Sequence, residues 1–215
     1  MRLSPGSWLA VLLSAATTAV AVWTWTHLPA GGGLPLNYLG LDGARHIVVT
    51  AMPLWLIPLV SGLVTLGLAA ARLRRSAEAA AQPLEMTMIA VAGLLLVTEL
   101  ALIGRAADPG FDVVRPVAIA VGVVLIAVGN YLGKARRNAV FGLRTPWTLA
   151  DDTVWDRTHR FTGLGMVLGG GLLIGLAFLL KDRVAIGVAM AICAALPPLA
   201  GVARSASLHR GVQRG

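Results

Sequence analysis

Two aspartates and a histidine in one short stretch have the spacing of a metal site on a helix. Asp152, Asp156 and His159 occupy positions i, i+4 and i+7, so a helix would place the three side chains along one face. Carboxylate oxygens and imidazole nitrogens are metal ligands, and a histidine beside an aspartate is also a candidate base for Thr153 or Thr158.

Ordinary helix chemistry accounts for the same residues. Asp156 and Arg160 are spaced for an ion pair, and His159 is placed to hydrogen-bond a neighbouring loop. The sequence contains no glycine-rich phosphate loop or zinc-protease motif, and Cys193 is its single cysteine. We therefore expect no catalytic residues, no metal and no cofactor, and hence no enzyme.

Glu99 is the one charged residue well inside an apolar stretch. It precedes the outer end of that stretch, near Gly104, by five residues, or about 8 Å at the rise of a helix. Carboxyls inside a membrane are costly and mark functional sites by default. Three interpretations stay open: a binding or proton-linked role, a buried pair with Arg45, His46 or Arg115, and simple snorkelling.

The composition indicates that these residues sit in a membrane protein. The chain has 215 residues, of which 57% are hydrophobic and 13% charged, more apolar surface than a soluble core of this size can hide. Windows of roughly 20 apolar residues predict membrane helices. Six windows qualify: 7–27, 47–71, 84–104, 113–133, 161–180 and 184–203. The predicted fold is an all-α, polytopic bundle of six transmembrane helices.

The basic residues predict the orientation of this bundle. Alternate loops place thirteen of the 18 Lys and Arg residues on one side, which is typical of the cytoplasmic side. Both termini are then cytoplasmic. The net charge of +8 is spread over membrane-flanking loops, so we expect contact with membrane lipid and no direct binding of nucleic acid.

The first predicted helix and the loop after it also have alternative interpretations. Arg2 and the apolar run resemble a cleavable signal peptide, but the run continues through Trp23 and Trp25, which favours an uncleaved helix. The outer loop, 28–46, is rich in turn residues and is predicted to be irregular.

Glycines predict close helix packing in the fifth span. Gly165 with Gly169, and Gly171 with Gly175, form a stripe that lets another helix approach. This spacing does not distinguish contacts within the chain from contacts between copies, so a homo-oligomer is a candidate assembly.

The segment 129–163 is far more polar and aromatic than a connection between spans requires, and we call it the signature segment. Pro146 disfavours helix at Thr145. Thr148 is predicted to cap a helix that begins at Leu149, with Asp151 as the acid of a short capping box. That amphipathic helix should lead directly into the fifth span.

The signature segment resembles the SdpI family of bacterial membrane proteins. The resemblance rests on these residues: Gly129-Asn130-Tyr131-Leu132, Lys134, Asn138, Phe141 to Leu149, Val154-Trp155 and Thr158-His159-Arg160. With its flanking helices it covers roughly 113–203.

The resemblance implies a membrane immunity or sensor protein that protects its own cell from a bacteriocin-like peptide toxin. It implies two partners, a secreted peptide toxin and a cytoplasmic transcriptional repressor that receives a signal. The candidate binding or signalling residues are Glu99, Asn130, Asn138, Arg144, Thr145, Pro146, Trp147, Trp155, His159 and Arg160. The alternative function is a small proton-linked transporter or channel.

The N-terminal half is weakly similar to a domain of unknown function that often precedes the family signature. The similarity rests on 34–38 and on Asp42-Gly43, and Leu36 stands where a histidine is expected. We therefore divide the chain into an N-terminal three-helix region, 1–105, and a C-terminal SdpI-like three-helix region, 106–215.

Overall fold

The computed structural model of the protein describes residues 4–28, 33–39, 45–73 and 80–212. Asp42 and Gly43 of the weak N-terminal similarity lie outside these residues. The elements in chain order are α1 (Pro5–His27), β1 (Leu34–Leu39), β2 (Arg45–Thr50), α2 (Met52–Arg72), α3 (Ala81–Ala107), α4 (Val114–Leu132), α5 (Pro146–Ala150), α6 (Asp152–Leu179) and α7 (Arg183–Val212).

Six of these helices, all except the short α5, are long and apolar enough to cross a membrane. Their large apolar side chains point outward; Leu66, Leu168 and Phe178, for example, are mostly exposed. Exposed apolar surface of this extent suits hydrocarbon as the solvent. The predicted all-α fold with six membrane helices is confirmed.

The connection between α1 and α2 is a β-hairpin where an irregular loop was predicted. β1 and β2 pair antiparallel, with Leu34 opposite Thr50 and Leu39 opposite Arg45. The β-branched run from Ile47 to Thr50 favours strand over helix. For the same reason the second helix begins at Met52, and the predicted start at 47 is wrong.

Arg72 joins the ends of three helices. Its guanidinium forms an ion pair with Glu85 of α3 at 3.0 Å and donates a hydrogen bond to Ser7 of α1 at 3.3 Å. Ala80 and Leu84 at the same end pack against the signature segment. The start of α1, the end of α2 and the start of α3 therefore lie at the same end of the bundle as the signature segment, which we call the signature end. That this end is cytoplasmic stays a prediction.

The helices pack in two groups that meet along α3 and α4. Helices α1, α2 and α3 contact one another, and so do α4, α6 and α7. The division of the chain at 105 stays a prediction.

Helices α4 and α6 cross at two pairs of glycines. A Cβ atom on Gly163 would come within 2.5 Å of the carbonyl oxygen of Gly129, and one on Gly170 equally close to that of Gly122. Only hydrogen side chains permit backbones to approach this closely. The two pairs are seven residues apart on each helix and hold the signature segment against α4.

The predicted glycine stripe of α6 contacts α7 only in part. Gly165 and Gly169 lie against Pro197 and Cys193 of α7, which confirms a packing role for the first pair. A methyl group added to Gly171 or Gly175 would have no atom of the described chain within 4 Å. Helix α7 itself continues to Val212, about two turns past the predicted end at 203.

Candidate functional site

The signature segment forms a folded cap on the ends of α4, α6 and α7. It comprises the last turn of α4, a loop, the single-turn helix α5 and the first three turns of α6. The predicted continuation of a helix into the fifth span is confirmed from Asp152 onward, because α6 is continuous from Asp152 to Leu179. The predicted start at Leu149 is wrong, because Asp151 is extended and separates α5 from α6.

Asn138 organises the first turn of the loop. Its Oδ1 accepts hydrogen bonds from the backbone N–H groups of Val140 and Phe141, at 2.8 and 2.7 Å, while its Nδ2 donates to the carbonyl of Arg136. The side chain is buried. An asparagine that satisfies three backbone groups in this way holds the turn in one conformation.

The same turn connects the two halves of the bundle. Val140 and Phe141 pack against Ala80 and Leu84 at the start of α3, together with Leu68 of α2. The loop is thus in direct contact with the N-terminal group of helices.

Trp155 and His159 form the buried centre of the signature segment. Their rings stack with centroids 3.9 Å apart and planes inclined by 20°. The indole N–H of Trp155 donates to the carbonyl of Ala135 at 2.8 Å, so the pair also ties α6 to the end of α4. Both side chains are almost completely buried. A buried tryptophan usually has a hydrogen-bond partner for its N–H group, and Trp155 follows this rule.

Both ring nitrogens of His159 are engaged by the backbone. Nε2 accepts the N–H of Leu143 at 2.9 Å, and Nδ1 lies 2.8 Å from the carbonyl of Trp155. A carbonyl only accepts and an N–H only donates, so these partners assign the neutral tautomer with the proton on Nδ1. The prediction that His159 hydrogen-bonds a neighbouring loop is confirmed.

Gly142 lets the loop pass over the imidazole. It has a φ of +109°, the left-handed region that favours glycine, and a Cβ atom there would overlap Nε2 of His159. The conformation of Gly142 and the hydrogen bond from Leu143 therefore depend on each other.

Thr145 and Thr148 form a reciprocal capping box around α5. The Thr145 hydroxyl accepts from the N–H of Thr148 at 3.2 Å, and the Thr148 hydroxyl accepts from the N–H of Thr145 at 2.9 Å. Pro146 is the first helical residue, the position where its missing N–H costs nothing. The prediction that Thr148 caps a helix starting at Leu149 is wrong, because the cap lies three residues earlier.

Asp151 and Asp152 also differ from their predicted roles. Asp151 caps α6 by accepting the N–H of Val154 at 2.9 Å. Asp152 pairs with Arg137 at 2.7 Å. Asp156 and Arg160, which were predicted to pair, form no ion pair with each other; both line the same groove.

Trp147 connects α5 to the extension of α7. Its indole N–H donates to the Ser205 hydroxyl at 2.7 Å, and its ring stacks near His209. Arg144 is exposed and donates to the carbonyl of Ala139 across the loop. Trp147 is thus half-buried between two helices.

Asn130 and Arg160 line a groove between α4 and α6 that opens beside this cap. The groove has a volume of about 720 Å³. Its lining residues are Gly129, Asn130, Gly133, Lys134, Ala135, Arg136, Asp156, Arg160, Gly163, Leu164 and Val167.

Glu99 lies apart from all the other candidate residues, inside the N-terminal group of helices. It is completely buried, so the snorkelling interpretation is wrong. Neither carboxyl oxygen has a hydrogen-bond partner among the described residues. Arg115, one predicted partner, instead bonds Asp112 and the carbonyls of Ala177 and Leu180; the side chains of Arg45 and His46 lie outside the described part.

The metal and base interpretations of the signature segment need side chains that are already engaged by other groups. His159 faces inward with both nitrogens engaged, and Asp152 is paired with Arg137. Within the described ranges no three His, Cys, Asp or Glu side chains are grouped as metal ligands would be. The signature segment is built to hold a shape and to present exposed basic side chains.

Gly142 and Thr148 are central residues that were not among the predicted candidates. Thr148 is fully buried and donates to the carbonyl of Leu143, so it holds the part of the loop that contacts His159. The sequence did contain a signal for the N-cap of α5: a threonine directly before a proline matches the N-cap and the first position of a helix. The partnership of Gly142 with His159, seventeen residues away, has no local signal.

The fold and this cap define a polytopic α-helical membrane protein whose helices are braced at one end by a folded loop and a single-turn helix. Residues 134–202 match the SdpI/YfhL protein family. The match begins at the loop and ends in α7, and it contains the whole Trp155–His159 centre.

A stretch of 62 residues is 42% identical to the protein named Immunity protein SdpI from Bacillus subtilis (strain 168). The aligned stretch covers 29% of this chain and 30% of that relative. No solved structure matches the chain. The apolar helices and these relatives together make it a multi-pass bacterial membrane protein.

Proposed function

We propose that the protein is an integral membrane immunity protein that protects its cell from a secreted, bacteriocin-like peptide toxin. The observation that carries the proposal is the 42% identity to an immunity protein over 62 residues. The family match over 134–202 supports it, because that range includes most of the cap as well as apolar spans.

Protection from a toxin is tested by expression of the full chain in a toxin-sensitive bacterium. Cells are challenged with culture supernatant from a strain that secretes such a peptide, and survival is compared with cells carrying an empty vector. Full protection is expected at matched amounts of protein in the membrane fraction. Survival equal to that of the empty vector contradicts the proposal.

Relay to a cytoplasmic transcriptional repressor is the second part of the proposal. The exposed guanidinium of Arg144 and the half-exposed Leu149 give the cap a mixed basic and apolar surface. Contact of Val140 and Phe141 with α2 and α3 supplies a route from the N-terminal helices to this surface.

The relay is tested with Arg144→Gln, which removes a charge from the cap and leaves its buried centre unchanged. Arg210→Gln near the end of α7 is the control, because it removes the same charge outside the cap. Arg144→Gln should reduce co-purification of the repressor and leave protein levels unchanged. Equal co-purification by both variants contradicts docking at the cap.

A proton-linked transporter or channel is the alternative function, and Glu99 is the observation that favours it. Ser61 of α2, like Glu99, is buried without a hydrogen-bond partner among the described residues. Counted from the neighbouring ends of α2 and α3 at 1.5 Å per residue, the two lie at similar depths of about 12–14 Å. Unpartnered polar groups in one layer of a membrane bundle are typical of an ion path.

Transport is tested by proton flux into liposomes that contain the purified protein. Glu99→Gln should abolish flux, whereas Glu85→Gln, which removes the carboxylate paired with Arg72 on the same helix, should retain it. Absence of flux from the wild-type protein, with orientation verified in the same liposomes, contradicts this alternative.

A further inference from the structure

The groove between α4 and α6 is lined by basic side chains, by glycines and, at one end, by apolar side chains. We call this apolar end, which follows α6 into the membrane, the lower end. Gly129, Gly133 and Gly163 line the groove at the place where the backbones of α4 and α6 are in contact. Lys134, Arg136 and Arg160 line it, as does Asp156. Two further residues, Leu164 and Val167, continue it along α6.

The groove crosses the boundary of the membrane. About twenty helical residues span the hydrocarbon core, and twenty residues counted back from Leu179 end at Arg160. Arg160 is therefore placed at the level of the headgroups, and Leu164 lies one turn deeper. Leu164 is 60% exposed, so the lower end of the groove opens toward lipid.

The positive charge in the groove is not neutralised by the described part of the protein. Arg136 and Arg160 make no side-chain hydrogen bond or ion pair with any described residue, whereas Arg137 beside them and Arg115 and Arg183 elsewhere all do. Lys134 donates to Asn130 at 3.1 Å, which fixes its ammonium at the rim. Three cations face the single carboxylate of Asp156.

We propose that this groove binds an anionic phospholipid of the leaflet at the signature end. The phosphate lies between the guanidinium groups of Arg136 and Arg160, and the acyl chains descend along Leu164 and Val167. Guanidinium and phosphate form charge-assisted, often bidentate hydrogen bonds, and basic pockets between membrane helices are known places for acidic headgroups. The apolar lower end favours a lipid over a free phosphate or an acidic peptide.

A bound lipid would join the loop that follows α4 to α6. Arg136 belongs to the loop that Asn138 holds, and Arg160 follows His159 directly. The same phosphate would therefore bridge the two sides of the structure that the Trp155–Ala135 hydrogen bond already connects.

The proposal is tested by native mass spectrometry of the full chain, released from micelles that contain equal amounts of phosphatidylglycerol and phosphatidylcholine. The wild-type protein should retain phosphatidylglycerol preferentially. Arg136→Gln combined with Arg160→Gln should lower the retained fraction roughly tenfold, since each basic residue contributes measurably to binding acidic lipid. Arg157→Gln combined with Arg210→Gln removes the same charge outside the groove and should retain the lipid.

A second variant separates shape from charge. Gly133 has ordinary helical dihedral angles, and a Cβ atom there would lie at contact distance, 3.5 Å, from Cα of Arg160. Gly133→Leu therefore fills the groove without altering its charge, and it should also reduce retention of phosphatidylglycerol. Thermal unfolding of each variant verifies that it is folded.

Three results overturn the proposal. They are equal retention of the two lipids by the wild type, equal loss in the groove and control double variants, and displacement of phosphatidylglycerol by millimolar inorganic phosphate or by an acidic peptide. The last result would assign the same basic groove to a soluble anion.

Discussion

The Nε2 atom of His159 accepts the backbone N–H of Leu143 at 2.9 Å across sixteen residues of sequence. This hydrogen bond closes the loop of the signature segment onto α6. It requires a neutral imidazole, and it fills the position that a metal or a proton would otherwise take. His159 therefore acts as a structural acceptor, although its spacing from two aspartates resembles a metal site.

His159→Phe tests this role. Phenylalanine retains the stack on Trp155 but leaves the buried N–H of Leu143 without an acceptor, which should cost about 1–3 kcal/mol of stability. The measurement is thermal unfolding of the purified protein in detergent. His27→Phe replaces an exposed histidine at the other end of the bundle and should have little effect. Equal melting temperatures for the two variants would contradict the structural role.

Gly142→Ala should be at least as damaging as the loss of the imidazole. The left-handed φ of +109° costs about 1–3 kcal/mol for a residue with a side chain, and the new methyl group would overlap His159. Gly187→Ala in α7 meets no atom within 4 Å and should be neutral or stabilising. Thermal unfolding and near-ultraviolet circular dichroism of Trp155 report the two effects; an unchanged aromatic signal in Gly142→Ala would contradict the coupling.

The sequence is sufficient to predict the membrane helices, because an apolar window needs only local composition. Boundaries are harder to predict where two local preferences compete. The β-branched residues Val48 and Val49 are apolar enough for a span and yet form a strand, so the second helix begins later than hydropathy indicates.

The N-cap of α5 shows a similar competition between two local preferences. Thr145 and Thr148 are both good capping residues, and the acid at Asp151 favoured the later one. The structure uses Asp151 for the next helix and leaves the threonines to cap each other. The contacts of His159, Trp155 and Trp147 depend on how distant segments pack, and no periodicity reports them.

Gly163→Val tests the crossing of α4 and α6. The added side chain would meet the backbone of Gly129 and Gly133, and overpacking of this kind costs about 1–3 kcal/mol. Gly171→Val, eight residues along the same helix, points into open space and should leave stability unchanged. Unfolding in detergent measures both. A destabilised Gly171→Val would instead indicate that this face contacts a second copy of the chain, which size-exclusion chromatography with light scattering would detect.

Glu99→Met distinguishes a functional carboxyl from a structural one. A completely buried carboxyl without partners among the described residues is costly to keep, so an apolar side chain of similar volume should leave the protein equally stable or more stable by about 1 kcal/mol. Glu85→Met on the same helix breaks the ion pair with Arg72 and should destabilise. If Glu99→Met raises the melting temperature and also abolishes protection or flux, the carboxyl is retained for function although it lowers stability. If it lowers the melting temperature, the carboxyl has a stabilising partner, and the side chains of Arg45 and His46 are the first to replace in a double-mutant cycle.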